Sequence, residues 1–281
     1  LSSRAAPRSN RNLRRGLPLL LLFIGGAACE SESPAPLRGG RVLVCGEEIA
    51  RVVVALGAGP NVLGADSASR TVPGLGATAD LGAECSDAPA IAEDLAAEVV
   101  LLDGRNPELR GELDARGIRN RVFSPLSLDE VVRDYHELGA LLAVEARAMI
   151  LVATITNGIS AIAVRRDGRT RLNVAWILSL TQDTGPWDAV GSTGILHELL
   201  ELAGAENAFH GSTLPRHRVD TSRLAGVSPD IVLDSTGGSE LRDQHQTLEV
   251  RTVPAALTRQ PILDPLARVE ALHALLYPDA V

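Results

Sequence analysis

The chain has 281 residues, a formal net charge of −8 and 45% apolar residues, a length and composition that suit one large domain or two ordinary ones. Aromatic residues make up only 2%, and every basic residue is arginine, so a pocket must be walled mainly by aliphatic, glycine, arginine and histidine side chains. The acidic balance argues against a nucleic-acid partner.

Residues 1–28 read as an export signal, with Arg11, Arg14 and Arg15 ahead of the apolar run 16–28 and Cys29 behind it. The run is shorter than the ~20 apolar residues of a spanning helix, so cleavage is expected. "GAAC" at 26–29 resembles a bacterial lipobox, which makes Cys29 the lipidated residue and the protein a lipid-anchored one. Gly26 departs from the usual aliphatic residue there, and ordinary cleavage after Ala28 fits the same small residues. Residues 29–40 are polar and contain prolines, as a tether does. Removing residues 1–28 takes away five arginines and no acid, which moves the charge from −8 to −13. In an exported protein Cys45 and Cys85 either pair or remain thiols, and their spacing leaves both open.

Residues 41–126 alternate between strand and helix patterns. "RVLVCG" (41–46) is a short β-branched run stopped by glycine, "EEIARVVVALG" has helical spacing, and "NVLGAD" is a second strand. "APAIAEDLAA" is a helix, "EVVLLDG" (98–104) a strand, "NPELRGELDARGI" a helix, and "RVFSP" a strand stopped by Pro125. This alternation predicts an α/β lobe with a mostly parallel sheet. Ser127 opens a capping box with Glu130, and residues 127–168 follow as a long linking helix; Gly139 and Thr-Asn-Gly at 156–158 are places where it could break.

From residue 169 the alternation resumes: strand "LNVAWILSL", glycine-rich loop "TQDTGPWDAVGSTG", helix "ILHELLELAG", short strand "NAFHG", loop "STLPRHRVD", helix "TSRLAGV", strand "DIVLDST". "LDPLARVEALHALLYP" closes the chain as a helix. Two echoes tie the halves together. Leu56 to Asn61 matches Leu202 to Asn207, and "LAAEVVLLDG" (95–104) matches "LAGVSPDIVLDS" (224–235). The expected architecture is therefore two Rossmann-like α/β lobes joined by a long helix.

"VALGAGPNVLGADSASR", "LLELAGAENAF" and "SPDIVLDS", in that order, resemble the helical-backbone class (class III) of periplasmic substrate-binding proteins that serve ABC importers for haem, vitamin B12 and other corrinoids, and ferric siderophores. The resemblance covers about residues 41–278, and "DSASR" (66–70) is most similar to the haem-binding branch. It implies a ligand cleft between the lobes, walled by residues 45–49, 66–74 and 82–87 from one side and 179–194 and 212–220 from the other. It also implies an importer permease and ATPase as partners. In haem-binding relatives a tyrosine commonly follows the Ser-Arg pair; here Thr71 stands there, so an axial iron ligand must be a histidine.

His217 is the choice, because neutral imidazole ligates iron and the flanking Arg216 and Arg218 suit the propionates of haem. The bland alternative for this Arg-His-Arg stretch is a solvated turn. Arg70 is either a further anion contact or half of a structural salt bridge, and Trp187 either covers a macrocycle or plugs a gap. Glu84 and Glu206 are candidates for docking on the permease.

An enzyme is disfavoured. The Gly-x-Gly near residue 57 stands in the order helix, turn, strand, the reverse of what dinucleotide binding requires, and no Walker loop, nucleophile elbow or zinc spacing occurs. A ligand-less sensor of the same fold is the third possibility.

Overall fold

In a computed structural model of the chain, residues 40–166, 170–180, 186–237, 241, 247–259 and 263–278 are described. The expected signal segment, Cys29 and nearly all of the tether lie outside these residues. The first lobe comprises β1 (Val42–Cys45), α1 (Glu47–Ala55), β2 (Val62–Ala65), β3 (Ala79–Asp80), α2 (Ala88–Asp94), β4 (Val99–Leu102), α3 (Pro107–Ala115) and β5 (Asn120–Val122). Its sheet runs β3-β2-β1-β4-β5, with every pairing parallel. The central strands β1 and β4 read as unbroken apolar runs because both faces are buried. Val42, Val44, Val99 and Leu101 point to one core, and Leu43, Cys45, Val100 and Leu102 to another, under α2 and α3.

Cys45 and Cys85 form a disulfide across a sequence separation of 40 residues. It ties the end of β1 to the loop between β3 and α2, where Cys85 has a left-handed backbone (φ 59°).

The linking segment is two helices, α4 (Leu128–Leu141) and α5 (Glu145–Arg166). The Ser127 hydroxyl accepts the Glu130 N–H at 3.2 Å, so the serine half of the expected capping box forms, while the Glu130 carboxylate accepts the N–H of Leu126, one residue before the cap, at 2.6 Å. The break falls at residues 142–144, where Ala143 has φ 55°, and not at either glycine flagged in the sequence. Both glycines serve close approach instead. A Cβ on Gly139 would lie 2.5 Å from the Ala148 Cβ of α5, and one on Gly158 would lie 2.6 Å from the Leu266 side chain.

The second lobe holds β6 (Asn173–Leu180), β7 (Trp187–Val190), α6 (Ile195–Leu202), β8 (Glu206–Asn207), β9 (Arg216–Val219), α7 (Thr221–Gly226), β10 (Ile231–Asp234), β11 (Val250–Thr252) and α8 (Pro265–Leu276). Its sheet runs β11-β10-β6-β7-β9, with β8 alongside the start of β6. The duplication read from the sequence is structural. In each lobe the first strand pairs in parallel with the strand of the first echo (β1 with β2, β6 with β8) and with that of the second (β1 with β4, β6 with β10). The difference is β7, which lies antiparallel beside β6 within the stretch expected as a glycine-rich loop.

One apolar core runs through the molecule. It takes Val42 and Val44 from the first sheet, Val174, Trp176, Ile231 and Leu233 from the second, and Ala148, Ile155 and Ile162 from α5 between them. Polar bonds tie the lobes beside it. Glu48 on α1 pairs with Arg268 on α8 at 3.2 Å, Glu47 pairs with Arg259 at 3.4 Å, and the Tyr135 hydroxyl donates to the Leu263 carbonyl. Burial raises the pKa of Glu48, and the Arg268 charge opposes that shift.

A carboxyl group whose pKa is raised on folding binds its proton more tightly in the native state. Its ionisation therefore opposes folding, an effect absent below its unfolded value near 4.5 and complete above its folded value. Arg268→Met removes the compensating cation and is expected to cost about 3 kcal/mol near pH 8, with a smaller loss near pH 4, read from denaturant midpoints across that range. Replacing Cys45 and Cys85 together by serine is expected to lower stability by about 2–4 kcal/mol, the usual worth of a native disulfide. Reductant is expected to lower the midpoint of the parent protein and leave the double variant unmoved.

Candidate ligand-binding site

The carboxyl ends of parallel strands leave backbone groups and following loops free to meet a ligand. At this edge of the first lobe lies an open cavity of about 470 Å³, with Cys45, Asp66, Glu84, Asp103, Arg105 and Glu108 among its lining residues. Each wall has a local cause. Gly46 turns the chain out of β1 with φ 136°, and a Cβ there would fall within 3 Å of the Asp103 carboxylate. Asp66 follows β2, is 5% exposed, and accepts the Ser69 N–H at 2.6 Å, which winds residues 66–72 into a tight turn. Asp103 follows β4, accepts the Arg105 N–H at 3.1 Å and pairs with the Arg105 guanidinium. That bond raises the pKa of Arg105 further. Asn106 caps α3 by accepting the Leu109 N–H at 3.0 Å, and its side-chain amide donates to the Glu84 carbonyl at 3.4 Å.

The second lobe repeats one of these devices. Asp234 ends β10, is 1% exposed, and accepts the Thr236 N–H at 2.8 Å, as Asp103 does from the residue two places on. The pairs "LLDGR" and "VLDST" were matched in sequence as strands, but the cavity role of residues 103–108 was not anticipated. The signal for it was the aspartate after an apolar run, present in both copies of the second echo.

The structure separates several residues that the sequence grouped. Arg70 pairs with Asp80, which is the salt-bridge alternative. The Thr71 hydroxyl turns back to the Ala68 carbonyl at 2.7 Å. The Arg-His-Arg stretch, expected in a loop, is the edge strand β9. Strand pleating puts successive side chains on opposite faces, so Arg216 and Arg218 are exposed on one face while His217 points with Val219 to the other. The His217 ring meets Phe209 edge to face, with centroids 4.7 Å apart. Both its ring nitrogens are covered and have no hydrogen-bond partner among the described residues. Burial, with a smaller effect of Arg223, lowers its pKa.

Trp187 is likewise a strand residue and not a loop one. It stands on β7 opposite Val219, only 3% exposed within the core of the second lobe, so burial has withdrawn its ring from the surface that a covering role needs. Glu84 lines the cavity of the first lobe, whereas Glu206 is exposed beside Asn173 at the start of β6. The two acids therefore occupy opposite edges of their sheets. Among the described residues no group of three or more histidine, cysteine, aspartate or glutamate side chains is placed to hold a metal ion.

No protein-family model matches the sequence, and no curated protein matches it. Solved structures do. A substrate-binding protein of an ABC transporter from Listeria monocytogenes superposes with a TM-score of 0.71 at 17% identity, covering 85% of this chain and 98% of its own. The periplasmic haem-binding protein HutB of Vibrio cholerae gives 0.70 at 18%, covering 85% and 99%. The periplasmic vitamin B12-binding protein BtuF of the same organism gives 0.64 at 15%, covering 86% and 97%. The chain thus has the two-lobed α/β fold, bridged by a long helix, of the class III periplasmic substrate-binding proteins.

Proposed function

We propose that this protein is the substrate-binding component of an ABC import system and that it carries haem between its lobes to a membrane permease. The observation that carries the reading is the fold itself, with an open cavity at the carboxyl edge of its first sheet. Haem is the cargo named for one of the similar structures, HutB. With Thr71 in place of a phenolate, His217 is the candidate axial ligand: burial lowers its pKa, and both its nitrogens lack partners among the described residues. To reach iron the ring must turn away from Phe209. Arg216 and Arg218, which the pleat sends to the opposite face of β9, are the candidate propionate contacts only if this edge strand turns together with the ring. Arg70 and Trp187 contribute only if the Asp80 pair opens and the β7 edge moves.

The protein then works outside the cytoplasmic membrane, anchored through lipid on Cys29, and Glu84 and Glu206 are the candidate contacts to the permease. It acts as a carrier and not as an enzyme.

A corrinoid or ferric-siderophore cargo is the second reading, favoured by one observation. The cavity carries the carboxylates of Asp66, Glu84, Asp103 and Glu108 against the single guanidinium of Arg105, a balance that repels propionates.

Hemin titration decides between them. A sharpened and shifted Soret band is expected, lost in His217→Ala, with affinity falling about tenfold in Arg216→Ala/Arg218→Ala through loss of charge-assisted hydrogen bonds. An unchanged Soret band, with tryptophan fluorescence quenched by cyanocobalamin or a ferric siderophore, overturns the haem assignment. Silence towards all three ligands leaves the ligand-less sensor.

A further inference from the structure

Helix α5 buries one stripe and leaves the opposite one bare. Ala148, Ile155 and Ile162, seven residues apart, belong to the shared core. On the other side Met149, Ile150 and Val164 are 62%, 66% and 74% exposed, and Ala146, Ala153, Asn157, Ser160 and Ala161 are exposed beside them. Residues 145–165 are apolar enough to resemble a membrane span, with only 17% of that stretch buried. Few soluble helices show solvent such a face without a partner.

Two features make the face drier than its composition suggests. The hydroxyls of Thr154, Thr156 and Ser160 donate to the carbonyls of Ile150, Val152 and Thr156 at 2.8–2.9 Å, so they are satisfied within the helix. Arg147, near one end, is drawn aside to the Leu56 carbonyl at 3.1 Å. Charge stands only towards the two ends, as Glu145 and Arg147 at one and Arg165 and Arg166 at the other, and neither Glu145 nor Arg165 has an ion-pair partner among the described residues.

The order of exposure reads almost the same from either end about Ile155. A second α5 laid antiparallel over the first, with a two-fold axis at that level, therefore meets large side chains with small ones. Met149 and Ile150 fall over Ser160 and Ala161 of the second copy, Val164 falls over Ala146, and Ala153 lies beside Asn157. The end bearing Glu145 comes to the end bearing Arg165, and the helix dipoles oppose. A self-complementary patch of this kind is what a two-fold dimer requires, and the contact extends along about 30 Å of helix.

We infer that the exposed face of α5 is a homodimer interface, formed by antiparallel packing of this helix against the same helix of a second copy. The pairing leaves the carboxyl-edge cavity of the first lobe outside the contact and is independent of what ligand the protein carries. One helix pair buries less than a standard interface, so the dimer is weak and concentration-dependent.

Sedimentation velocity on the intact purified protein tests it, over a range reaching about 1 mM. A rise in apparent mass towards twofold is expected, abolished in Ile150→Glu/Val164→Glu, whose exposed positions leave the melting temperature unchanged. Glu145→Arg is expected to weaken the dimer, and Glu145→Arg/Arg165→Glu to restore it. The register is read by cross-linking in a Cys29→Ser background: a mixture of Ala153→Cys and Asn157→Cys proteins forms a disulfide-linked dimer more readily than either protein alone. A monomer at every concentration, with no preferential cross-link, overturns the inference. So does a monomer that floats with phosphatidylglycerol vesicles and stops doing so in Ile150→Glu/Val164→Glu, because the face then meets lipid.

Discussion

Everything in this fold leans on one helix whose buried side chains join a single apolar core shared by both lobes. Ala148, Ile155 and Ile162 of α5 enter a core that already holds Val42 and Val44 of the first lobe and Val174 and Trp176 of the second. Because that core is continuous, the lobes are not free bodies on a flexible string. Close packing resists the sliding of one against the other. The glycines at 139 and 158 are part of the same constraint, since each lets a neighbouring helix approach α5 more closely than a methyl group would allow. The buried Glu48–Arg268 pair adds a polar tie beside the apolar one, with two charges that are tolerable only in each other's company.

A held pair of lobes gives the carboxyl edges of the sheets a lasting geometry, and the local turns there are built to last as well. Asp66, Asp103 and Asp234 each stand at or just past a strand end, nearly buried, and each accepts a backbone N–H from the turn that follows. The disulfide between Cys45 and Cys85 adds a covalent wall to the cavity. Such a site is formed before any ligand arrives, which reduces the ordering that binding must bring about. It is also acidic, a property that the backbone-shaping role of Asp66 and Asp103 entails.

Much of this was legible in the sequence because it rests on local patterns. Apolar runs of three or four, doubly buried, announced β1, β4 and β10, and Ser127 with Glu130 announced the start of α4. The two echoes correctly marked equivalent strands. Other features were invisible for physical reasons. β7 lies in a stretch rich in glycine and aspartate, and it is a strand only because β6 and β9 offer their edges to it. "RHRV" contains the alternation of an edge strand, yet its reading as a loop with three cooperating side chains ignored the pleat that sends Arg216 and Arg218 away from His217. The glycines in the linking segment looked like breaks because sequence shows a missing side chain and not the neighbour that takes its place.

By itself the sequence determined the α/β class, the duplication, the long linking segment and the acidic balance, all of which follow from periodicity and composition along the chain. Tertiary structure alone decided that Cys45 meets Cys85, that Trp187 is core, that His217 faces Phe209, and that one side of α5 is left bare. Each of these depends on which element lies across from a residue, and that is set by how two sheets and two helices pack in space, a relation that no local pattern encodes.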